Sequence, residues 1–286
     1  MRWAARILLL LLVAAAFMIL GRGGGATLQD RGEIDAAASR AHPAGTDDLG
    51  RDRLERNAEA LVLCLSLAVG AALLATGIAA SVALAAAYLN PPFSTALLLL
   101  SDSLLAVPGL FLLMLVRASL PLSLHPGATA VLTFLVIAIL GWPLMVRTLA
   151  AEIHRHRSSA WMLYCRAAGL PARTIFVRHM LVQLRPLLAT HFLLTVPAFL
   201  MAEANLGVLG LGVPDPLASW GEMLSELSQS YLRGGSAWRY LPAAMLIAVL
   251  VLLELAGSNP RRAERCEPAA AREGNNRGDR LEKALL

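Results

Sequence analysis

The stretch that decides the fold is residues 60–89, ALVLCLSLAVGAALLATGIAASVALAAAYL. Its only ionisable side chains are those of one cysteine and one tyrosine. A helix needs only about 20 apolar residues to cross a hydrocarbon core about 30 Å thick. Residues 60–89 therefore predict a membrane-spanning helix, on which Gly70, Gly77 and Ser81 provide small surfaces for close contact with another helix.

The rest of the chain is also too apolar for a soluble protein. Of 286 residues, 57% are hydrophobic and 16% are charged, whereas about a quarter of the residues are charged in soluble domains. Backbone groups in lipid must be satisfied within each segment, so each apolar run is interpreted as a helix and the fold class is all-α. The predicted spans are residues 5–21, 60–89, 95–117, 127–150, 186–204 and 239–257. The first run, which follows Arg2 and Arg6, also resembles a secretory signal peptide.

The arginines predict the orientation of these spans. Between Arg147 and Arg185 there are seven arginines against one acid, Glu152, whereas the 118–126 connection has no lysine or arginine. Loops rich in arginine face the cytoplasm. With six spans both termini are then cytoplasmic, and the 22–59 segment, with six arginines and eight acids, lies outside. The predicted divisions are the first span at 1–21, the extracytoplasmic segment at 22–59, a transmembrane domain at 60–257 containing a basic loop at about 151–185, and a polar cytoplasmic tail at 258–286.

Enzyme and metal signatures are missing from the sequence. The only lysine, Lys283, lies in the polar tail and no GxxxxGK[ST] motif is present, so a P-loop is excluded. There is no HExxH or GxSxG motif, and the histidines and cysteines lack metal-ligand spacing. We therefore predict no catalytic residue, no metal and no cofactor bound by this chain. The net charge of +5 is explained by arginines beside apolar spans, which favours membrane lipid over nucleic acid as a partner.

A polar motif, HPAGTDDLGRD at residues 42–52, precedes the second span. Gly45 and Gly50 allow tight turns, while Thr46 and Asp47 are predicted to cap the helix that leads into the span. A calcium loop is the poorer alternative, since the DxDxDG alternation is missing.

A second motif, YCRAAGLPAR at residues 164–173, lies in the basic loop. Small residues that end in Gly169 and Pro171 predict a short helix that stops and turns. Such a helix suits insertion into a groove of a soluble partner. The alternative is a solvated connector between two spans.

The third motif, AEANLGVLGLGVP at residues 202–214, is followed by Ser-Trp-Gly at 219–221. Its three glycines predict that the fifth span ends here. Glu203 and Asn205 are predicted to face a cavity or a polar partner, as is Asp102, because charges facing lipid are costly. Alternatively the two acids hold helices together.

Taken in order, these three motifs resemble the inner-membrane permease subunits of ABC importers for dipeptides, oligopeptides and nickel, specifically the second of two paralogous permeases. The resemblance runs from about residue 42 to 261. It covers the motif at 42–52, the spacing of Gly169 to the Arg-His pair at 178–179, and the Glu-to-Gly pattern at 203–221. The chain departs from the family at Leu163, where an acidic residue normally opens the coupling motif.

The resemblance implies a type I ABC importer permease fold in the bacterial inner membrane. It implies a paralogous permease subunit, two cytoplasmic ATPase subunits that use ATP, and an extracytoplasmic substrate-binding protein as partners. The residues implied in coupling to the ATPase are Leu163, Arg166, Ala167, Gly169, Arg173 and Arg178. The residues expected to line the pathway are Asp102, Glu203 and Asn205, with Arg117 or a residue of the partner permease as counter-charge for the acids. The structural motif residues are Gly45, Thr46, Asp47, Gly50, Arg51, Asp52, Gly210, Gly212, Trp220 and Gly221.

Three functions are compatible with these residues. The first is an importer permease for peptides or similar small solutes, including nickel chelates. The second is a degenerate permease that acts as a structural or regulatory partner, suggested by the missing acid at Leu163. The third, a membrane-embedded enzyme, is disfavoured because no nucleophile and base are paired in the sequence.

Overall fold

Every regular element in the part of the chain that the structure describes is helical, so the predicted all-α class is confirmed. This computed structural model describes residues 2–22, 28–120, 125–171, 174–230 and 237–257. Its helices are α1 (Arg2–Arg22), α2 (Arg53–Tyr88), α3 (Pro91–Ala106), α4 (Gly109–Ala118), α5 (Pro126–Gly141), α6 (Pro143–Arg157), α7 (Ala160–Ala167), α8 (Leu181–Val208), α9 (Trp220–Ser230) and α10 (Leu241–Gly257). A π-helical segment, Ile175–Met180, leads into α8, and a 3₁₀ turn, Ala237–Tyr240, leads into α10.

Helix α2 is the axis of the molecule. Its 36 residues extend about 54 Å, which exceeds the thickness of a bilayer of about 40–45 Å including the headgroups. The helix starts at Arg53, inside the segment predicted as extracytoplasmic, because the Asp52 carboxylate accepts hydrogen bonds from the first backbone N–H groups. It ends where Asn90 precedes Pro91, since a residue before proline avoids helical torsions. A helix of this length crosses the bilayer either strongly tilted or projecting beyond it.

Alanines form the face of α2 that packs against other helices. Residues 60, 68, 72, 75, 79 and 83 are all alanine and all fully buried, and small side chains let helices approach closely. The predicted contact surface of Gly70, Gly77 and Ser81 is wrong within this chain. A Cβ added at either glycine would meet nothing within 4 Å, and Ser81 is exposed.

Two of the predicted spans are bent at prolines. The 95–117 run forms α3 and α4, which meet at 89° where Val107 is extended and Pro108 precedes α4. The 127–150 run forms α5 and α6, which meet at 42° at Pro143. Each proline removes a backbone donor and clashes with the preceding turn. The interpretation of these two runs as single continuous helices is therefore wrong.

The described residues include three helical segments that are long and apolar enough to cross a membrane, or five spans if each bent pair is counted as one. The three are Arg53–Tyr88, Arg178–Val208 and Ala237–Gly257. Helix α1 contributes a shorter apolar stretch, Arg6–Phe17. The chain is thus a multi-pass membrane protein, and the count of six remains a prediction.

Two hydrophobic clusters lie along α2. The first half of α2 packs with α1, α5, α8, α9 and α10 around buried Leu61, Phe134 and Trp220. The second half packs with α6, α7 and the start of α8 around Val146, Met162 and Met180. We call these the α9 end and the α7 end of the molecule. The motif at 42–52 lies at the α9 end, and the motif at 164–173 lies at the α7 end.

Candidate functional site

Two buried arginines join the segment before α2 to the region around α9. Arg51 donates from Nη1 to Asp215 at 2.6 Å and from Nη2 to Glu226 at 3.0 Å. Arg56 donates to Glu226 at 2.9 Å and also to Glu222. Both arginine side chains are 1% exposed. Buried guanidinium groups require such partners because an unpaired charge away from water is strongly destabilising.

Asp47 orients both arginines. Its carboxylate accepts hydrogen bonds from the Arg51 backbone N–H at 2.8 Å, from Arg51 Nε at 2.7 Å, and from Arg56. Burial raises the pKa of Asp47, but hydrogen bonds and the charges of Arg51 and Arg56 outweigh burial and hold this pKa below its ordinary value. Asp47 is therefore an acceptor for arginine in the folded protein at neutral pH.

The predicted capping role of Thr46 and Asp47 is wrong, because Asp52 is the N-cap of α2. Thr46 instead bonds to the backbone of the loop before it, accepting from the Ala36 N–H at 2.9 Å and donating to the Glu33 carbonyl. The predicted tight turns are confirmed. Gly45 and Gly50 have φ of +70° and +75°, and a Cβ at Gly50 would lie 1.9 Å from the Asp30 carbonyl oxygen.

Acids outnumber arginines in this network. Asp47, Asp215, Glu222 and Glu226 surround the two guanidinium groups of Arg51 and Arg56. Burial, aided by the charges of Glu226 and Asp215, raises the pKa of Glu222 to about 8 against the opposing effect of Arg56. The network therefore has an excess of acidic groups next to α9.

Two of these acids, together with the neighbouring Asp48, have the spacing of a cation site. One oxygen from each of Asp47, Asp48 and Glu226 lies within 4.8 Å of the others. Arg56 donates to both Asp47 and Glu226, so a guanidinium group already supplies the positive charge there. We assign no metal to this group.

Glycines let α8 and α9 cross with their backbones in contact and let the loop between them pack against α8. A Cβ added at Gly207 would lie 2.3 Å from the Cα of Gly221, and a Cβ at Gly212 would lie 2.6 Å from the Cα of Gly207. Helix α8 ends at Val208, and Gly210 turns the chain with a φ of +74°. The predicted end of the fifth span is therefore confirmed, but the glycines at 207 and 212 serve close packing.

Glu203 is enclosed by this crossing. It is 0% exposed, and the Cys64 thiol of α2, the Ser219 hydroxyl and the backbone of Val213 and Gly221 lie around its carboxyl group. Its Oε1 atom makes no hydrogen bond of normal geometry. Such an enclosed acid holds α2, α8 and the loop before α9 together.

Asn205 and Asp102 lie apart from Glu203. Asn205 is exposed on the other side of α8. Asp102 on α3 accepts from Arg147 Nε on α6 at 2.6 Å in a two-point ion pair, in which the Arg147 side chain is 66% exposed. The structure thus separates the three predicted pathway residues. Arg117 was suggested as the counter-charge for Asp102. This suggestion is wrong, because Arg147 forms the ion pair with Asp102.

Arg117 has no acidic partner in the described ranges. It is 1% exposed at the end of α4, donates from Nε to Thr133 at 3.1 Å, and has no hydrogen bond at Nη1. It borders a cavity of about 350 Å³ at the α9 end. The cavity is lined by Arg117, Thr129, Gly207, Gly210, Gly212, Val213, Pro214, Glu222, Ser225 and Glu226.

At the α7 end, the short predicted helix and its stop are confirmed. Helix α7 ends at Ala167, and Gly169 has a φ of +73°. Met162 is buried in the core, whereas Leu163 and Tyr164 are 60% and 76% exposed. Arg178 is exposed, the side chain of Arg166 is not described, and Arg173 lies outside the described residues. The helix therefore presents apolar side chains outward from the membrane domain.

Sequence reasoning missed the acids that pair with the motif arginine Arg51, namely Asp215 and Glu226. It also missed Arg56 with its partner Glu222, and Arg147. One signal was available. Glu222 and Glu226 are four residues apart, so they lie on one face of α9, where like charges destabilise a helix. A like-charged pair of this kind indicates a cationic partner elsewhere in the fold.

The chain matches one protein family and is similar to several proteins that are named as permeases. Residues 65–257 match the family described as the binding-protein-dependent transport system inner membrane component. A Brucella suis protein that is named as a peptide permease is 29% identical over 231 residues, covering 80% of this chain and 74% of that protein. The oligopeptide transport system permease protein OppC of Bacillus subtilis is 30% identical over 192 residues, covering 67% and 61%. OppC of Mycobacterium tuberculosis is 28% identical over 223 residues, covering 78% and 75%.

Proposed function

Since the chain belongs to the family of binding-protein-dependent transport system inner membrane components, we propose that it forms half of the pathway by which peptides or similar small solutes cross the bacterial inner membrane. A paralogous permease forms the other half. Two separate cytoplasmic ATPase subunits drive transport, and an extracytoplasmic binding protein delivers the solute. The family consists of transporter components, which are not a class of enzymes.

The observation that carries this proposal is the family match over residues 65–257, which includes all helices from most of α2 to α10. Relatives named as peptide or oligopeptide permeases support peptides as the solute. A nickel chelate remains the second candidate solute, and the shared family scaffold is what supports it.

Coupling to ATP is assigned to the α7 end. The helix lies in a basic loop and exposes Leu163 and Tyr164, which suits a groove on a soluble subunit. Arg157 of α6 stacks over the Tyr88 ring at 4.5 Å, so the end of α2 is linked to the segment that carries α7. A force on α7 would therefore reach the long axis of the molecule. The residues proposed for docking are Leu163, Arg166, Ala167, Gly169, Arg173 and Arg178.

A degenerate permease remains the alternative function, because Leu163 stands where the family has an acid. The missing charge removes one polar contact with the ATPase, while the exposed leucine adds an apolar one. The two functions differ in whether ATP hydrolysis drives uptake.

The test is uptake by the whole transporter reconstituted in proteoliposomes. We expect ATP-dependent accumulation of radiolabelled di- and tripeptides in the presence of the binding protein, and none when ATP is replaced by a non-hydrolysable analogue. The same vesicles are supplied with nickel alone and with a nickel chelate. Stable co-purification of the subunits without ATP-dependent uptake of any of these solutes would favour the degenerate permease.

A further inference from the structure

The cavity between α4, α5, α8 and α9 has an arginine with an unused donor on one wall. Arg117 is buried, its Nη1 atom has no hydrogen-bond partner, and no carboxylate pairs with it in the ranges the structure describes. A buried guanidinium without an anion is strongly destabilising. Arg117 therefore indicates that an anionic group binds in this cavity.

Acidic side chains line the same cavity as Arg117. Glu222 and Glu226 line the same cavity and belong to the network in which four carboxylates surround two guanidinium groups. Their side chains are 17% and 28% exposed, so solvent and solute reach them. A carboxylate has about four lone-pair positions, so a glutamate here can accept from a cation as well as from arginine. The pKa of Glu222 is raised to about 8, and an ammonium group that binds beside it lowers this pKa and favours the charged carboxylate.

Glycine backbone forms part of the cavity lining. Gly207, Gly210 and Gly212 line the cavity, and a Cβ at Gly210 would meet nothing within 4 Å. The volume of about 350 Å³ is near the lower limit of ligand pockets, which range from about 300 to 1,000 Å³. The cavity is thus suited to a small solute that carries both charges.

We propose that this cavity binds a short peptide as a zwitterion, with the peptide carboxylate on Arg117 and its ammonium group at Glu222 and Glu226. The identity of the zwitterion as a peptide rests on the proposed import function. The charges of the cavity select for free termini, and its size selects for short peptides over long ones.

The experiment measures binding to the transporter purified through this chain in lipid nanodiscs, without the binding protein. Calorimetric titrations use the dipeptide Ala-Ala, its N-acetyl derivative and its C-terminal amide. We expect each blocked dipeptide to bind about tenfold more weakly or worse, because each loses one charged hydrogen bond. In Arg117→Gln the dipeptide and its amide should bind equally. In the double variant Glu222→Gln, Glu226→Gln the dipeptide and its acetyl derivative should bind equally.

The matched control is Arg155→Gln, which removes an exposed arginine at the other end of the molecule and should keep the wild-type order of affinities. No binding of the dipeptide, equal binding of all three ligands to the wild type, or an undiminished effect of amidation in Arg117→Gln would overturn the proposal. The comparison of the three ligands on the wild-type transporter tests the proposal even if a variant fails to fold.

Uptake is measured in parallel. Peptide uptake without charge-dependent binding overturns the cavity assignment alone, and charge-dependent binding without uptake overturns peptide import alone.

Discussion

At Gly207 and Gly221 the backbones of α8 and α9 touch, and at Gly212 the loop between them touches α8, so that an added methyl group has no space at any of the three. The glycine run was predicted to end the fifth span, which it does at Gly210 through a positive φ. Close contact with α9 depends on Gly221, fourteen residues beyond Gly207. Such a long-range contact leaves no local pattern in the sequence, so the packing role of these glycines could not be predicted.

We expect Gly207→Ala to lower the free energy of unfolding by about 1–3 kcal/mol, because the new Cβ would meet backbone atoms that cannot yield. The measurement is the thermal unfolding of the purified protein in one lipid and detergent mixture. Gly70→Ala is the matched control, since a Cβ there meets nothing within 4 Å and alanine favours a helix. Equal destabilisation by both substitutions would contradict the packing role.

At the scale of elements, a proline bends some apolar runs and leaves others continuous. Pro108 divides α3 from α4, whereas Pro186 and Pro197 lie inside a continuous α8. The mean hydropathy of the sequence locates all of these runs, because a segment surrounded by lipid must be apolar. It cannot identify the bends, since neighbouring helices determine whether the backbone groups released by a proline are satisfied.

The turn after α7 gives a prediction at the same scale. Gly169→Val should abolish substrate-stimulated ATP hydrolysis while the complex still assembles, because a β-branched residue at a φ of +73° is strained. Gly169→Asn should keep most of the stimulation, since asparagine tolerates this conformation. ATPase assays and size-exclusion chromatography on both variants provide the measurement. Normal stimulation in Gly169→Val would remove the docking role of α7.

At the scale of the whole molecule, the orientation in the membrane is still a prediction from the arginines. The structure shows that the motifs at 42–52 and 164–173 lie at opposite ends of α2. They must therefore face opposite compartments if α2 crosses the membrane. The sequence predicted this separation because the two motifs are divided by an odd number of spans.

Labelling of the Cys165 thiol tests the orientation of the protein in the membrane. It is partly buried, whereas Cys64 is fully buried, so a Cys266→Ser variant leaves one reactive thiol. We expect an impermeant maleimide to label Cys165 in inside-out vesicles and not in intact spheroplasts. Ala41→Cys, at an exposed position near the α9 end, should show the reverse pattern when Cys165 and Cys266 are both replaced by serine. Labelling of Cys165 from outside would contradict a cytoplasmic α7.

The bond between Arg51 and Asp215 spans 164 residues of sequence, and that between Arg56 and Glu226 spans 170. A ribosome adding about 5–20 residues per second needs roughly ten to thirty seconds to make that stretch. Throughout this interval Asp47 is the one acid of the network that the nascent chain can offer to the two arginines, because Asp215, Glu222 and Glu226 are not yet made. The α9 end therefore cannot close until synthesis is nearly finished, and a chain that terminates before residue 215 keeps Arg51 and Arg56 without three of the four acids that enclose them in the finished protein.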